Sequence, residues 1–378
     1  MLYSLLDWLE KMYQPPGFGA FSYISVRSAM AALFALLISL FIGKKIITWL
    51  QKMQLGEVVR KDIGLDSHLS KAGTPSMGGI IIILSCVIPS ILWTKPDNIY
   101  GWLVVFVMIV LGGVGFLDDY IKIIKKDKKG LAGRLKVAGQ VLTGLILGTI
   151  LYFWPDFAGY NTLTTVPFLK QFNIDYAILG PGLGWIIYIP VVIFILTAVS
   201  NAVNLTDGLD GLASGISGIT GMALGILAYV SGRVDFSNFL DILYLPGIGE
   251  LTIFSAALVG STLGFLWYNT YPAQVFMGDT GSLALGGAIG ALAIMVKKEL
   301  LLPMLGGVLF METLSVILQT SYFKYTKNKY GEGRRIFKMA PLHHHYEKSG
   351  WAEPKIVVRF WIISILLAIL TIITLKIR

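Results

Sequence analysis

The sequence has few of the residues that a soluble protein of its length depends on. Only 14% of its 378 residues are charged, whereas soluble domains have about 25%, and 55% are hydrophobic. Its single cysteine, Cys86, excludes an intramolecular disulfide framework and any metal site built from several cysteines. A soluble core of this length cannot bury so much apolar surface, so the composition indicates an integral membrane protein.

Acidic residues are scarcer than basic ones. The chain has 22 Asp and Glu against 31 Lys and Arg, which gives a formal net charge of +9. A basic balance also occurs in nucleic-acid-binding proteins, but here the basic residues stand in short segments between apolar runs. In a membrane protein, such segments set the orientation and attract anionic lipid or substrate. We therefore expect a membrane lipid partner and no nucleic-acid partner.

Apolar runs dominate the rest of the chain. A membrane-spanning helix needs about 20 predominantly apolar residues. Windows of this kind fall at residues 23–43, 77–94, 99–117, 135–154, 183–200, 209–230, 251–268, 281–296, 300–323 and 356–375. The pattern predicts an all-α polytopic integral membrane protein with ten transmembrane helices, in one domain covering residues 1–378.

The distribution of Lys and Arg predicts the orientation of these helices. With ten spans the loops alternate sides, and most basic residues fall in one set of loops. The other set has little beyond Lys95, Lys170, Arg233, Lys297 and Lys298. Cytoplasmic loops are the Lys/Arg-rich ones, so both termini should be periplasmic. The five polar motifs of the chain then share the cytoplasmic face, which predicts one active site there.

One motif, "GFLDDYIK", ends the third predicted span with Asp118 and Asp119. A helix C-terminus already has partial negative charge, so two carboxylates there need a cation. They are either interfacial acids paired with Lys122 and Lys125 or a site for a divalent metal or a general base. Adjacent helical side chains point about 100° apart, so the two acids can have separate roles.

A second motif, "NAVNLTDGLDGLASG", contains Asn204, Asp207 and Asp210 at spacings of three. On a helix, this spacing puts the three side chains on one face. Gly208 and Gly211 let the backbone approach a ligand closely. The alternative is a polar turn that only caps the sixth span.

A third motif, "NTYPAQVFMGDTGS", contains Asn269, Phe276 and Asp279. Thr280 and Ser282 are expected to cap the eighth span. A carboxylate beside a helix N-terminus suits a metal–phosphate group, because the free N–H groups there face anions. The alternative is a tight loop with an aspartate cap.

Three of the four histidines stand together in "MAPLHHHYE", as His343, His344 and His345. Adjacent histidines cannot all bind one metal, because their side chains diverge. Next to Arg334 and Arg335, imidazoles suit phosphate binding or proton transfer. The alternative is a solvated basic loop.

Together the motifs combine magnesium-type oxygen ligands, phosphate-binding helix ends, cations and imidazoles at one membrane surface. Magnesium usually binds through one or two carboxylates and substrate phosphates. This combination predicts phosphoryl transfer from a cytoplasmic diphosphate to an acceptor in the bilayer.

These motifs, with "GTPSMGG" in the first loop, resemble those of the polyprenyl-phosphate N-acetylhexosamine-1-phosphate transferases over nearly the whole chain. The "APLHHH" element is typical of the branch that uses a phospho-N-acetylmuramoyl-pentapeptide. The resemblance implies transfer of phospho-MurNAc-pentapeptide from UDP-MurNAc-pentapeptide to undecaprenyl phosphate, giving lipid I and UMP. It also implies Mg²⁺, the bacterial inner membrane and a homodimer.

The resemblance also implies roles for single residues. Asp118, with Asp119 beside it, would deprotonate the lipid phosphate, and Asp279 would bind magnesium. The expected uracil pocket consists of Lys71, Gly208, Leu209, Asp210 and Phe276. The other expected catalytic or substrate-binding residues are His343, Ser76, Asn204, Asp207, Asn269, Gln319, His344 and His345. Phosphate and lipid would be attracted by Lys122, Lys125 and Lys126.

Three alternatives remain open from the sequence. A sister enzyme would use UDP-GlcNAc, and the triple histidine argues against it. A transporter would place charged residues near the membrane midplane, whereas these acids cluster at one face. Direct displacement, which we favour, competes with a phosphoryl-enzyme formed on Asp118.

Overall fold

The computed structural model describes residues 1–53, 73–123, 125, 130–169, 172–180 and 182–377. The predicted site residues Lys71 and Lys126 lie outside this part of the chain. Within it, the secondary structure is almost entirely helical, as the composition predicts.

In the described residues, six α-helices precede the second half of the chain. They are α1 (Leu2–Tyr13), α2 (Ile24–Lys52), α3 (Gly79–Trp93), α4 (Ile99–Ile123), α5 (Gly133–Phe153) and α6 (Trp185–Thr206). Between α5 and α6 a short antiparallel hairpin is formed by β1 (Leu163–Thr165) and β2 (Asn173–Asp175), with Thr164 opposite Ile174.

Eight further helices complete the fold. They are α7 (Leu212–Ser231), α8 (Val234–Leu240), α9 (Leu251–Asn269), α10 (Gly278–Met295), α11 (Leu302–Leu305), α12 (Gly307–Tyr330), α13 (Leu342–Glu347) and α14 (Glu353–Ile377). The short helices α8, α11 and α13 occupy the connections between the long apolar ones.

Each predicted apolar segment coincides with a helix, but not every helix is a complete span. In the described residues, eight helices are long and apolar enough to cross a membrane: α2, α4, α5, α6, α7, α9, α10 and α14. Helix α3 is apolar but has only 15 residues. The chain is therefore a polytopic helical membrane protein, and the count of ten crossings stays a prediction.

The ninth predicted segment, 300–323, is not one continuous helix. The chain bends by 82° between α11 and α12. Gly306 has non-helical dihedral angles (φ −91°, ψ 30°), and Gly307 follows it. Glycine costs about 1 kcal/mol in a helix interior relative to alanine, so this pair is a natural place for the break.

Helix α10 lies at the centre of the molecule and is almost completely buried along its length. It packs against α4 and α6, while α9 packs against α2 and α7. Gly286 faces α6 so closely that an added Cβ would lie 2.6 Å from the Cα of Ser200. Small residues that allow close backbone approach are typical of helix packing in membranes.

The segment that follows α10 is hydrogen-bonded to the β1–β2 hairpin. Buried Lys297 donates through Nζ to the carbonyl of Asn161 (2.7 Å) and to the hydroxyl of Tyr188 (3.2 Å). Its own carbonyl accepts a hydrogen bond from the Thr165 hydroxyl (2.8 Å). One lysine therefore joins β1 and α6 to the end of the central helix.

A second buried contact joins α2 to the start of α9. The guanidinium of Arg27 donates to both carboxylate oxygens of Glu250, each at 2.7 Å. Glu250 also accepts from the backbone N–H of Lys95 (3.0 Å), and Arg27 donates to the carbonyl of Trp93 (3.2 Å). This ion pair ties the end of α3 to both helices.

Candidate active site

Three carboxylates meet where α4 ends and α10 begins. Asp118 and Asp119 are in the last turns of α4, and Asp279 is in the first turn of α10. One oxygen of each lies within 4.8 Å of the others. Gly115 makes the approach possible, because an added Cβ there would lie 2.1 Å from the carbonyl oxygen of Asp279.

Asp119 is used to cap α10. Its carboxylate accepts hydrogen bonds from the backbone N–H groups of Asp279 (3.2 Å) and Thr280 (2.9 Å) and from the Thr280 hydroxyl (2.7 Å). A negative charge stabilises a helix N-terminus. Gly278 has a φ of +73°, and a Cβ on it would lie 2.6 Å from Asp119 Oδ2.

The expectation that Thr280 and Ser282 cap this helix through their own side chains is wrong. The Thr280 hydroxyl donates to Asp119, and the Ser282 hydroxyl donates to the carbonyl of Gly278 (3.0 Å). The carboxylate of Asp119, on α4, caps the helix instead, because it reaches the same N–H groups.

Asp118 points away from that cap. It is completely buried and forms ion pairs with Lys122 and, at 2.8 Å, with Lys136. Its Oδ1 accepts a hydrogen bond from the backbone N–H of Leu131 (2.7 Å). The two neighbouring aspartates therefore have different partners.

Asp279 shares both lysines with Asp118. Its Oδ2 contacts Lys122 Nζ (3.0 Å) and Lys136 Nζ (2.5 Å). Its Oδ1 accepts a hydrogen bond from the Asn204 amide (2.8 Å), and that amide also donates to Ser282 (2.8 Å). Two acids and two lysines thus alternate in one cluster whose formal charges cancel.

Sequence reasoning missed Lys136 as a site residue. It is in the first turn of α5 and reaches both Asp118 and Asp279. Lysine at the polar entry of an apolar segment usually extends to the membrane interface. Only the tertiary packing of α5 against α4 separates this lysine from an ordinary interfacial one.

The second motif does not form one helical face, contrary to the expectation from its spacing. Helix α6 ends at Thr206, Asp207 is its C-cap with non-helical dihedral angles, and α7 begins only at Leu212. The glycines Gly208 and Gly211 interrupt the helix. Asn204, in the last turn of α6, reaches the carboxylate cluster.

Asp210 and Asn269 hold two loops together. Asp210 Oδ2 accepts from the backbone N–H of Ala273 (3.0 Å), and its own N–H donates to Glu353 (2.7 Å). Asn269 accepts from the N–H of Gly211 (3.1 Å) and donates to the carbonyl of Val275 (2.9 Å). These contacts fix the loop that contains Phe276 against the start of α7.

Phe276 and Ser76 stand on paired backbone segments beside the cluster. The N–H of Phe276 donates to the carbonyl of Pro75, and its carbonyl accepts from the N–H of Gly78, both at 2.8 Å. The Phe276 side chain is half-buried, whereas Ser76 is buried next to Gly278. The first polar loop and the third are therefore directly joined.

The three adjacent histidines have three different partners. His343 Nδ1 faces Glu312 (3.2 Å), and His344 Nδ1 faces Glu347 (2.6 Å). His345 Nδ1 accepts a hydrogen bond from the backbone N–H of Lys338 (3.1 Å). Each of the three rings is therefore held by a different residue.

The remaining described residues that the sequence predicts have separate surroundings. Gln319 accepts from the N–H groups of Ile336 and Phe337, each at 3.0 Å. Leu209 is buried, Gly208 lies against the His343 ring, and the side chain of Lys125 is exposed.

Comparison with known proteins decides the family. The sequence profile of glycosyl transferase family 4 matches residues 101–297, and a phospho-N-acetylmuramoyl-pentapeptide-transferase signature matches residues 71–83. Phospho-N-acetylmuramoyl-pentapeptide-transferases from Salinibacter ruber, Flavobacterium psychrophilum and Parabacteroides distasonis are 56%, 53% and 51% identical to the chain. Each alignment covers 100% of both proteins.

The chain belongs to the phospho-N-acetylmuramoyl-pentapeptide-transferase family. The family signature covers the segment that leads into α3, and the glycosyl transferase profile extends from α4 to the end of α10. Asp118 and Asp279 therefore both lie within the residues that the glycosyl transferase family 4 profile matches.

Proposed function

We propose that the chain transfers phospho-MurNAc-pentapeptide from UDP-MurNAc-pentapeptide to undecaprenyl phosphate, giving lipid I and UMP. The observation that carries the proposal is the cluster of Asp118, Asp279, Lys122 and Lys136 in a chain of this transferase family. Phosphoryl transfer needs positive groups around the phosphates and an acid or metal site beside them. The cluster offers both in one place.

The donor set fits Mg²⁺, because the three clustered groups are carboxylates and Mg²⁺ prefers oxygen ligands. Asp279 would hold the ion, with Asp118 close enough to contribute. When bound, the ion would neutralise charge on the diphosphate as UMP leaves.

The residues of the chain supply binding and proton transfer. An oxygen of undecaprenyl phosphate attacks the phosphorus attached to the muramoyl sugar, and the bond from that phosphorus to UMP breaks with its electron pair. Lys122 and Lys136 hold the phosphate oxygens, with Lys125 and Lys126 attracting the anions from outside. Asp118 takes the proton when the lipid phosphate arrives as a monoanion.

The contribution of Asp118 as a base is limited by the lipid itself. The second pKa of a phosphate monoester is about 6, so most of the lipid phosphate is already a dianion at neutral pH. Asp118 also holds Lys122 and Lys136 in place. It therefore acts both as a proton acceptor and as the counter-charge of the two lysines. Asp119 acts by holding the start of α10.

Substrate recognition is assigned to the surrounding loops. Phe276 would stack on the uracil, with Lys71, Ser76, Gly208, Leu209 and Asp210 forming the rest of that pocket. Asn204 and Asp207 would contact the ribose. Asn269 would shape the pocket, and His343 would bind the substrate where its ring lies against Gly208. His344, His345 and Gln319 would bind the substrate further along the groove.

Direct displacement is favoured over a phosphoryl-enzyme, because Asp118 is completely buried and paired with two lysines. An attacking carboxylate would first have to lose those partners. Incubation with the UDP-sugar alone, followed by a search for phosphorylated Asp118, would reverse this preference if the adduct formed.

The protein is a multi-pass bacterial membrane protein, and we place it in the inner membrane with ten crossings, both termini periplasmic and the cluster on the cytoplasmic face. UDP-linked sugars are cytoplasmic, so the cluster has to face that side. The homodimer expected from the resemblance is proposed with it.

The test uses purified protein in detergent with undecaprenyl phosphate and Mg²⁺. UMP release is followed with UDP-MurNAc-pentapeptide and, in parallel, with UDP-GlcNAc. Turnover of the muramoyl substrate alone is expected. Turnover of UDP-GlcNAc alone would assign the chain to the sister reaction, and EDTA should abolish either activity.

A further inference from the structure

A second buried carboxylate lies outside the aspartate cluster and serves one histidine. Glu312, on α12, is completely buried. Its Oε1 accepts a hydrogen bond from the backbone N–H of His343 (3.1 Å), and its Oε2 lies 3.2 Å from His343 Nδ1. Both oxygens of this side chain are therefore directed at a single residue of α13.

This arrangement determines where the imidazole proton resides. An ionised carboxylate only accepts hydrogen bonds, so the Nδ1 atom that faces it has to be a donor. In the neutral ring, the proton is then on Nδ1, and Nε2 has a free lone pair. A carboxylate that fixes a histidine tautomer in this way is familiar from catalytic and metal sites.

The opposite ring nitrogen has no partner. His343 Nε2 is buried, and no described residue hydrogen-bonds to it. It lies against Gly208, where an added Cβ would be only 2.2 Å away. A buried acceptor without a donor is costly, so a site of this kind is completed by a donor from elsewhere.

The neighbouring histidines are arranged differently. His345 Nδ1 accepts from the N–H of Lys338, which puts the proton of its neutral ring on Nε2. His344 Nδ1 faces Glu347 on its own helix. Of the three, only His343 is completely buried, and it has a carboxylate from another helix at Nδ1 and the Gly208 loop against its ring.

We propose that Glu312 is a positioning residue that holds His343 in the Nδ1–H tautomer, so that Nε2 accepts a hydrogen bond from the nucleotide sugar bound at the Gly208 loop. The inference rests on the proposed function, because that function places the nucleotide at this loop. His343 makes the contact, and Glu312 acts through it.

The tautomer is measured first, on the active wild-type protein labelled with ¹⁵N-histidine. The chain has four histidines, so the spectrum is simple, and loss of one signal pair in His343→Asn assigns that residue. We expect the Nδ1–H form. An Nε2–H form of His343 in the wild type would overturn the inference, without any need for a variant to fold.

Glu312→Gln changes the hydrogen bond without removing it. The amide NH₂ would donate to Nδ1, so the ring proton would move to Nε2 and oppose a substrate donor. We expect kcat/KM to fall about 10–100-fold, as for other groups that orient a functional histidine. Glu312→Asp keeps the charge and should restore part of the loss.

A double-mutant cycle separates positioning from general stability. In the His343→Asn background, Glu312→Gln should change kcat/KM by less than about twofold, because residues that act as one unit are not additive. Asp235→Asn, in the exposed pair with Arg233, is the matched acid-to-amide control and should keep wild-type activity. Equal effects of Glu312→Gln in both backgrounds would refute the coupling.

Failure of this inference is distinguishable from failure of the proposed function. If wild-type protein releases no UMP from UDP-MurNAc-pentapeptide, the function is wrong whatever the tautomer is. If UMP is released and Glu312→Gln keeps wild-type kcat/KM, only the role of Glu312 is wrong.

Discussion

Adjacent residues in this site do different work. Asp118 contacts two lysines, whereas Asp119 accepts the first N–H groups of α10. Neighbouring side chains on a helix point about 100° apart. Asp118 can therefore face the lysines while Asp119 faces the N-terminus of α10. The division gives separate predictions for single residues.

The variants Asp118→Asn and Asp279→Asn should respond differently to added Mg²⁺. Asp118→Asn is expected to lower kcat by about 100-fold or more, because it removes the proton acceptor and a partner of both lysines. Excess Mg²⁺ should not restore it. Asp279→Asn should raise the Mg²⁺ concentration needed for half-maximal rate and recover in part at high Mg²⁺. UMP release across a Mg²⁺ titration measures both responses. Recovery of Asp118→Asn at high Mg²⁺ would mean that Asp118 binds the metal and Asp279 accepts the proton.

Lys136 should be as important as the acids that it contacts. Lys136→Gln removes one cation from between Asp118 and Asp279, so the two carboxylates face each other with Lys122 as the remaining partner. We expect kcat to fall by about 10²–10³, the range seen when one stabilising donor is lost. Lys11→Gln, on exposed α1, is the control. Unchanged kinetics would show that Lys136 only balances charge.

Buried Lys297, which follows α10, should make the free energy of unfolding depend on pH. Burial lowers the pKa of Lys297 from 10.5 to about 8, although the charge of Glu299 opposes the shift. Between these values the unfolded chain binds more protons than the folded one, so stability should increase with pH from about 8 to 10.5.

Comparison with Lys297→Met isolates this effect. The variant lacks the group, so the free energy of unfolding of the wild type minus that of the variant should increase as pH rises from about 7.5 to 9.5, with a slope of up to about 1.4 kcal/mol per pH unit. The lost hydrogen bonds to Asn161 and Tyr188 add a constant offset. A difference that is independent of pH would mean that Lys297 keeps its ordinary pKa.

At the scale of helices, the Arg27–Glu250 pair is expected to show strong coupling. Arg27→Met or Glu250→Met alone leaves one buried charge without its counter-charge and should cost about 3–5 kcal/mol. The double variant Arg27→Met, Glu250→Met should cost much less than the sum of the single ones. Unfolding in mixed micelles titrated with SDS measures the four proteins, and additive losses would mean that the pair is solvated.

The helices themselves could be predicted from the sequence, whereas their ends could not. Each of the ten predicted apolar runs coincides with a helix or, at 300–323, with a bent pair of helices, because the bilayer requirement acts on composition alone. The break at Gly306, the end of α6 at Thr206 and the cap from Asp119 depend on tertiary contacts. Spacing rules assumed an unbroken helix through Asn204 and Asp210, and two glycines prevented it.

The sequence likewise predicted only part of the candidate site: its aspartates, but not how they group. The aspartates stood out because acids at the end of an apolar run need a reason. Their grouping needed the fold, since Asp118 and Asp279 are far apart in sequence and only the packed helices show the close approach at Gly115. Lys136 gave no signal, because one lysine beside an apolar run resembles many others. Glu312 did give one, because it is an acidic residue inside the apolar segment 300–323, but the sequence does not show which residue it contacts.

At the scale of the whole molecule, the central position of α10 has a consequence for heat inactivation. This helix carries Asp279, and its first N–H groups are bonded to α4. It has almost no surface of its own from which it could open separately. Its amide hydrogens should therefore exchange with solvent only when the protein opens globally. Residual UMP release and the folded fraction should then fall together along one heating curve, and the enzyme should have no range of temperature in which it is folded but inactive.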